Sequence, residues 1–298
     1  MKFDFMLRKT GLYAESWNVA YRQKSAGAIL EDRNAPFTVI PNGFRYWAAD
    51  PFVIERDGKV YIFAELYDYI LRRGVLGYCA MTDGKAGKWT PVIQEPYHLS
   101  YPCILEHDSK VYIMPESGAG SCLTVYEAAV FPDQWRKEQV LRDNVKFADT
   151  TPIPCEGKHL ALTHCVDDPQ TPRLMLIDLD RKLADAEVEG AESFRSRPAG
   201  HMFQKNGKWI RPAQHSEDCG SGYGKALVFY ECSISEDGQY DETEIGTVFP
   251  RELKLDRPIF LDGMHTYNAG KQVEVIDIKT RRFNLLNFVM RVAGKFLR

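Results

Sequence analysis

The stretch WAADPFVIERDGKVYIFAEL, residues 47–66, decides the fold. Two short apolar runs, FVI and VYIF, flank the tight polar turn RDGK. Strand–Asp-Gly–strand is a strong β-hairpin signal. Asp50 stands just before the first run and Glu65 just after the second. The hairpin therefore predicts two carboxylates at the same end of one pair of strands.

Related hairpins recur along the chain, at residues 98–117, 149–165, 200–214 and, more weakly, 264–277. Each has a turn lysine, and the spacings between successive lysines are 51, 48, 50 and 63 residues. These lysines are Lys59, Lys110, Lys158, Lys208 and Lys271, and prolines align with the first three hairpins at Pro51, Pro102 and Pro152. A period near 50 residues built from short strands is typical of propeller blades. The sequence thus predicts an all-β, five-bladed β-propeller that forms one domain over residues 1–280.

Composition excludes several classes of protein. The net charge of −3 gives no general attraction to nucleic acid. No run approaches the roughly 20 apolar residues that span a bilayer, and the N-terminus lacks the apolar core of a signal peptide. The seven cysteines are odd in number and form no C-x-x-C pair, which favours a reducing compartment. We predict a cytoplasmic protein with no metal and no cofactor.

Polar residues recur at one register position. Six residues past each turn lysine, a polar side chain follows an apolar strand: Glu65, Glu116, His164, Gln214 and Asp277. The residues that open the first strands are also mostly polar: Asp50, Tyr101, Asp149, Thr150, Thr151, His201, His265 and Thr266. Hairpin geometry puts both sets at the same end of their blades. The sequence predicts a ring of carboxylates, imidazoles and amides near the central channel, although strand ends are often polar merely because they are exposed.

Asp50 has a setting unlike that of an ordinary strand end. Aromatic and small apolar residues surround it in RYWAADPF. A shielded carboxylate near other carboxylates has a raised pKa, which suits acid–base chemistry. Two carboxyl groups in different environments can then act as acid and base.

The chain resembles two groups of propellers. The pieces YWAADPFVIERDGKVYIFAELYD, SYPCILEHDSKVYIMPES, DTTP, RPAQ and GMHTYN are similar to the N-terminal propeller of glucosamine inositolphosphorylceramide transferases. The Asp-Pro opening also resembles the five-bladed glycosidases, namely arabinanases, xylosidases, invertases and levansucrases. The resemblance spans roughly residues 15–280 and implies a carbohydrate ligand. It also implies that Asp50 matches the glycosidase base or nucleophile, whereas Tyr101-Pro102 stands where those enzymes carry a second aspartate.

These patterns give a set of expected site residues. We assign Asp50 as base or nucleophile, Glu116 as general acid and Asp149 as the group that orients substrate or tunes the pKa, with Glu65 and Glu217 as other candidate acids. The predicted substrate-binding residues are Glu65, Tyr101, His164, Arg211, Gln214, His265 and Trp47. For Arg211 the alternative is an ion pair between blades, and for Trp47 it is buried packing.

Residues 281–298, RRFNLLNFVMRVAGKFLR, read as a basic amphipathic helix. Polar positions share one helical face, and no acidic residue follows Asp277. Such a helix is typical of attachment to an anionic membrane surface, and packing on the propeller or on a partner is the alternative.

Two functions fit these features. The first is an enzyme that cleaves or transfers a glycosidic bond in polysaccharide or glycolipid biosynthesis, acting on a carbohydrate or lipid-linked sugar at the inner membrane. The second is a non-catalytic glycan-binding or scaffold propeller that serves a membrane-associated glycosyltransferase.

Overall fold

Five antiparallel sheets surround one central axis in the computed structural model, which describes residues 13–167, 171–191, 196–215, 224–235, 239–259 and 262–296. The strands are β1 (Tyr13–Arg22), β2 (Thr38–Val39), β3 (Tyr46–Arg56), β4 (Lys59–Asp68), β5 (Arg73–Thr82), β6 (Lys85–Ala86), β7 (Thr90–Ile93), β8 (Ser100–His107), β9 (Lys110–Glu116), β10 (Cys122–Val130), β11 (Gln134–Asp143), β12 (Phe147–Pro152), β13 (Leu160–Cys165), β14 (Arg173–Asp178), β15 (Ala186–Glu187), β16 (Phe203–Lys205), β17 (Lys208–His215), β18 (Ala226–Ile234), β19 (Tyr240–Val248), β20 (Tyr267–Ala269) and β21 (Glu274–Phe283). This arrangement confirms the predicted five-bladed propeller.

Four blades are consecutive in sequence. Blade I contains β3–β4–β5–β6 with β7 beside β5, and blades II, III and IV contain β8–β11, β12–β15 and β16–β19. Blade V has the strand order β2–β1–β21–β20, so it combines strands from both ends of the chain. The full-length pairing of β1 with β21 closes the ring. The weak fifth hairpin in the sequence is therefore only half of its blade.

Two-residue turns build several of the predicted hairpins. Asp57 and Gly58 both have left-handed backbone angles, φ 52° and φ 71°, between the paired ends of β3 and β4. This is the type I′ geometry, which matches the twist of antiparallel strands. Asn206 and Gly207, at φ 52° and φ 76°, repeat it between β16 and β17. The turn residues fix the strand register, and hence which side chains reach the other end of each hairpin.

Large side chains fill the space between neighbouring blades. Phe52 and Phe63 of blade I pack with Tyr101 and Ile113 of blade II in one buried cluster. The rings of Phe52 and Tyr101 meet edge-on at 4.8 Å between centroids. Burial of each such side chain contributes about 1.5–3 kcal/mol to folding. This packing holds the inner strands at a fixed angle, so their ends converge on the axis.

The chain continues past β21 into a helix, α1 (Leu285–Phe296), which confirms the helix predicted at the C-terminus. Its amphipathic character and the division of the chain into a propeller over residues 1–280 and a separate tail over 281–298 stay predictions. No helix in the described ranges is both long enough and apolar enough to span a membrane.

Candidate functional site

A β-bulge recurs at the start of the inner strand in blades I, II and III. Asp50, Tyr101 and Asp149 have φ values of 51°, 47° and 52°, and each lies where the pairing register shifts. A left-handed conformation is costly for residues other than glycine and is held only where surrounding contacts enforce it. Bulges re-aim side chains next to functional sites. The fold thus repeats one strained position three times around the channel.

The register also shows where one sequence alignment fails. Pro51 and Pro102 directly follow the strained residue in blades I and II, but Thr150 takes this position in blade III. The prediction that Pro152 is equivalent to Pro51 and Pro102 is wrong, because the equivalent position lies two residues earlier. Blade III has no proline directly after its aspartate.

The predicted polar ring lies at equivalent strand positions. Glu65, Glu116 and His164 pair with the residues just before the three bulges. In the other two blades, the backbone N–H groups of Gln214 and Asp277 donate to the carbonyls of Arg197 and Thr266. Four of the five ring residues are buried, and Glu116 is partly exposed. Their roles in binding and catalysis stay predictions.

Asp277 joins blade V to blade I. Its Oδ1 accepts the backbone N–H groups of His265 and Thr266 at 2.8 and 3.0 Å, and its Oδ2 accepts that of Asp50 at 3.2 Å. The His265 Nδ1 lies 2.6 Å from Asp277 Oδ2, and Trp17 stacks on the imidazole at 4.1 Å. Burial alone would lower the pKa of His265, but the charges of Asp277 and Asp50 outweigh it and raise that pKa.

Asp50 contacts both neighbouring blades. Its Oδ1 accepts the Thr266 hydroxyl at 2.9 Å, and its Oδ2 accepts the backbone N–H of Tyr101 at 3.2 Å. Burial, together with the charges of Asp149 and Asp277, raises the pKa of Asp50 to about 6 despite the opposing charge of His265. Asp50 is therefore ionised near neutral pH but close to its titration range.

Asp50, His265 and Asp277 are also the residues that could hold a metal ion. Their ligand atoms all lie within 4.8 Å of one another, and all three side chains are buried. Each carboxylate oxygen already accepts a hydrogen bond from the protein. These hydrogen bonds link the cluster to Tyr101 and Thr266, and the metal-free site expected from the sequence stays a prediction.

Arg197 bridges two predicted catalytic carboxylates. It donates through Nε to Asp149 Oδ2 and through Nη2 to Glu116 Oε2, the latter at 3.0 Å. Gln214 donates to the same Asp149 oxygen at 2.7 Å. Burial raises the pKa of Asp149 to about 6, against the opposing effect of Arg197. Sequence reasoning missed Arg197. Its one signal is its strand position opposite Gln214, because blades I to III carry small residues at the equivalent position.

Glu65 is buried beside His98, a second residue that the sequence did not indicate. The His98 Nδ1 accepts the Gly74 N–H at 2.9 Å, so the proton lies on Nε2, which is 3.4 Å from Glu65 Oε1. Gly74 makes room here, since a Cβ at that position would lie 2.6 Å from the same oxygen. Burial, reinforced by the neighbouring carboxylates, raises the pKa of Glu65 well above its usual range. The protonated form of Glu65 is therefore favoured more than that of an exposed glutamate.

A hydrogen-bonded layer crosses the axis on the turn side of the carboxylates. The ring of His201 in blade IV contacts the Ile104 carbonyl of blade II at 2.7 Å. Asn268 accepts the His201 N–H at 2.8 Å and donates to the Pro51 carbonyl at 2.8 Å. We call the end of the channel that carries these carboxylates the cup, and its partly exposed residues, Glu116 and Arg197, define its mouth.

The other predicted residues have defined surroundings. The Tyr101 hydroxyl pairs with that of Thr151 at 2.7 Å, and Trp47 stacks on Tyr67 with ring planes 6° apart. His164 is buried. Glu217 lies outside the described residues.

Arg211 is fully buried within blade IV. Its Nη2 lies 2.6 Å from a Glu242 oxygen, and its Nε and Nη1 donate to the Tyr240 hydroxyl and the Ser196 carbonyl at 3.0 and 2.8 Å. These contacts match the ion-pair interpretation, although here both partners belong to one blade. The binding role expected for Arg211 stays a prediction.

Comparisons with known proteins identify relatives of this chain. A family model described as glucosamine inositolphosphorylceramide transferase 1, N-terminal, matches residues 15–174. The protein of that name from Arabidopsis thaliana is 26% identical over 246 residues, which cover 78% of this chain and 30% of the relative. The counterpart from Oryza sativa subsp. indica is 23% identical over 211 residues, covering 67% and 28%. The chain thus spans about 30% of the length of the curated relatives that it matches.

Solved structures share the fold at low sequence identity. The GH43_1 enzyme from Xanthomonas citri complexed with xylotriose superposes with a TM-score of 0.55 at 12% identity, covering 81% of this chain and 88% of that one. The catalytic domain of Coprinopsis cinerea GH62 alpha-L-arabinofuranosidase gives 0.53 at 12% identity, covering 80% and 98%. These likenesses concern the propeller fold.

Proposed function

The chain belongs to the family of glucosamine inositolphosphorylceramide transferase 1 N-terminal regions, and from this premise we propose that it cleaves or transfers a glycosidic bond in polysaccharide or glycolipid biosynthesis. The observation that carries the proposal is the channel itself, where Asp50 and Glu65 are buried in one cluster of carboxyl groups and have different surroundings. The relatives' name supplies the ligand class, an amino sugar or an inositol phosphate headgroup.

Glycosidic chemistry needs one carboxyl group that donates a proton and one that acts as base or nucleophile. Asp50 fits the second role because it is ionised at neutral pH. Glu65 fits the first role because burial raises its pKa and so favours its protonated form. Glu116, the acid expected from sequence, instead receives a hydrogen bond from Arg197. We therefore assign Glu65 as the proton donor, with the His98 imidazole 3.4 Å from it.

The remaining residues suit binding. Arg197 can turn from its carboxylate partners toward an anionic or hydroxyl group at the mouth, where it is 21% exposed. Asp149 raises the pKa of Asp50 through its charge. The half-buried Trp47 and Tyr67 stack gives a flat aromatic surface that suits a sugar ring. A cytoplasmic protein attached to the inner leaflet through residues 281–298 would meet a lipid-linked substrate.

One observation favours the alternative of a non-catalytic glycan-binding or scaffold propeller. Both oxygens of Asp50 are engaged in hydrogen bonds to neighbouring blades, as a structural carboxylate would be. In that case the cup would bind sugar without turnover, and catalysis would belong to a membrane-associated glycosyltransferase.

Isosteric variants separate these functions. Turnover of inositolphosphorylceramide that carries glucosamine would be measured together with binding of glucosamine, inositol phosphate and xylotriose by calorimetry. Asp50→Asn and Glu65→Gln should each lower turnover by about 10²–10⁴-fold, the usual contribution of acid–base catalysis, with binding retained. The exposed Glu189→Gln is the matched control.

The outcomes are distinct. Unchanged turnover in Asp50→Asn would refute the mechanism. Binding by the wild-type protein without any turnover would establish the scaffold function instead.

A further inference from the structure

Exposed apolar side chains concentrate at one corner of the propeller. Of the nine large apolar residues that are exposed in the described part of the chain, five belong to blades I and V or to α1: Phe44, Ile70, Phe283, Leu285 and Val289. Phe44 and Phe283 are the most exposed, at 64% and 61%. Contiguous exposed apolar surface marks a site of interaction with a protein or a membrane.

The three segments that carry these residues adjoin one another. Arg282 donates through its guanidinium to the Gly43 carbonyl at 3.4 Å, so the end of β21 lies near the loop that carries Phe44. The Tyr69 N–H donates to the Arg45 carbonyl at 3.1 Å, which extends the pairing of β3 with β4 and sets Ile70 opposite Phe44. Leu285 and Val289 are one turn apart on α1, so they share a side of the helix.

This corner lies at the same end of the blades as the cup. β4 starts at the turn lysine Lys59, passes Glu65 and ends at Asp68, two residues before Ile70. β21 likewise passes Asp277 before it reaches Phe283. The exposed apolar residues therefore continue past the channel carboxylates, away from the hairpin turns.

Basic side chains lie next to these apolar residues. The exposed Arg72 lies in the loop after Ile70, and Arg282 directly precedes Phe283, whereas Arg45 and Arg281 are paired with Asp68 and Asp262. The sequence after Asp277 contains six basic residues and no acidic residue. Basic groups around exposed aromatic and aliphatic side chains complement an anionic lipid surface, where the apolar groups enter the headgroup boundary.

We propose that Phe44, Ile70, Phe283, Leu285 and Val289 form a docking face for an anionic lipid surface, and that docking turns the mouth of the cup toward the lipid headgroups. The docking face adds two loops of blade I to the membrane contact that the sequence predicts for residues 281–298. The inference deepens the proposed function and rests on it for the lipid-borne substrate, whereas binding to vesicles needs no turnover.

Vesicle flotation with the full chain tests the docking face. The wild-type protein should float with vesicles of phosphatidylcholine and phosphatidylglycerol, and should float poorly with phosphatidylcholine alone. Phe44→Ser should lower partitioning about tenfold, because the ring no longer enters the boundary. Val130→Ser is the matched control, since Val130 is 54% exposed at the turn end of β10 and should leave partitioning unchanged.

A fluorophore tests the orientation. Arg72→Cys and Asp57→Cys place the same environment-sensitive dye on exposed turn positions at opposite ends of blade I. The dye at position 72 should shift to shorter wavelength when anionic vesicles are added, whereas the dye at position 57 should not. Equal shifts at both positions would overturn the proposed orientation.

Other results would overturn docking. They are equal flotation with neutral vesicles, wild-type flotation by Phe44→Ser, or an equal loss in Val130→Ser. A dimer that Phe44→Ser dissociates, without vesicle binding, would assign the face to a second copy of the chain. Flotation by a wild-type protein that turns nothing over would uphold docking and refute only the catalytic function.

Discussion

Asp277→Ala should destabilise the propeller strongly, because Asp277 closes the ring at the junction of blades V and I. The substitution leaves three buried backbone N–H groups without their acceptor, those of Asp50, His265 and Thr266. A buried unsatisfied donor costs about 1–3 kcal/mol, so the three together give about 3–9 kcal/mol. Loss of the Asp277 charge relieves repulsion at Asp50, and we therefore expect the lower half of this range.

The loss should depend on pH in a defined direction. The pKa of His265 is raised in the folded protein, so its protonation contributes stability that is present at low pH and lost as pH rises through that pKa. Asp277→Ala removes the main cause of this rise. The difference in unfolding free energy between wild type and variant should accordingly be larger under mildly acidic conditions than above neutral pH.

Urea unfolding followed by tryptophan fluorescence measures both effects. The control is Asp241→Ala, an exposed carboxylate in β19, which should change the unfolding free energy by no more than about 0.5 kcal/mol. A loss of less than about 1 kcal/mol in Asp277→Ala would refute the view that its hydrogen bonds hold the ring closed. A pH dependence of opposite sign would refute the role assigned to His265.

Three further predictions follow from the site and its supports. The kcat/KM of the proposed reaction should rise with pH through about 6 as Asp50 ionises. Asp149→Asn should move this rise to lower pH, because it removes a charge that raises the Asp50 pKa. A rise at the wild-type pH in this variant would contradict the effect of Asp149 on Asp50. Arg211→Ala should cost about 3–5 kcal/mol in urea unfolding, since it leaves the largely buried Glu242 without its ion-pair partner; a stability like that of wild type would contradict this. Tyr101→Phe should cost about 1 kcal/mol by loss of a buried hydroxyl–hydroxyl hydrogen bond, measured by thermal unfolding, and no loss would show that the bond is not needed.

The hairpin repeat could be predicted because its chemistry is local. Asp57 and Gly58 adopt the left-handed turn that their residue types favour, and the alternation of strand side chains then fixes the register. Counting six residues past the turn lysine therefore finds Glu65 and Asp277 at equivalent positions, far apart in sequence. The spacing of the repeated hairpins likewise predicted the number of blades.

Contacts between residues far apart in the sequence could not be predicted from turn and strand patterns. Arg197 and Glu116 are separated by 81 residues, and nothing in either local sequence indicates the other. His98 reaches Glu65 only because a glycine in a third segment leaves space for both. The closing pair of strands joins the two ends of the chain, so the repeat shows only half of blade V.

The sequence by itself determined the propeller, its register and the end of the blades at which the carboxylates lie, because turns and strand alternation depend on neighbouring residues. The tertiary structure decided how those carboxylates differ. Burial and neighbouring charges raise the pKa of Asp50 to about 6 and that of Glu65 well above its usual range, and partners from other blades engage both oxygens of Asp50 and tie Glu116 to Arg197. The protonation of a carboxyl group depends on the nearby charges and on its exposure to solvent. At these residues, both are set by side chains from several blades, which come together only in the closed propeller.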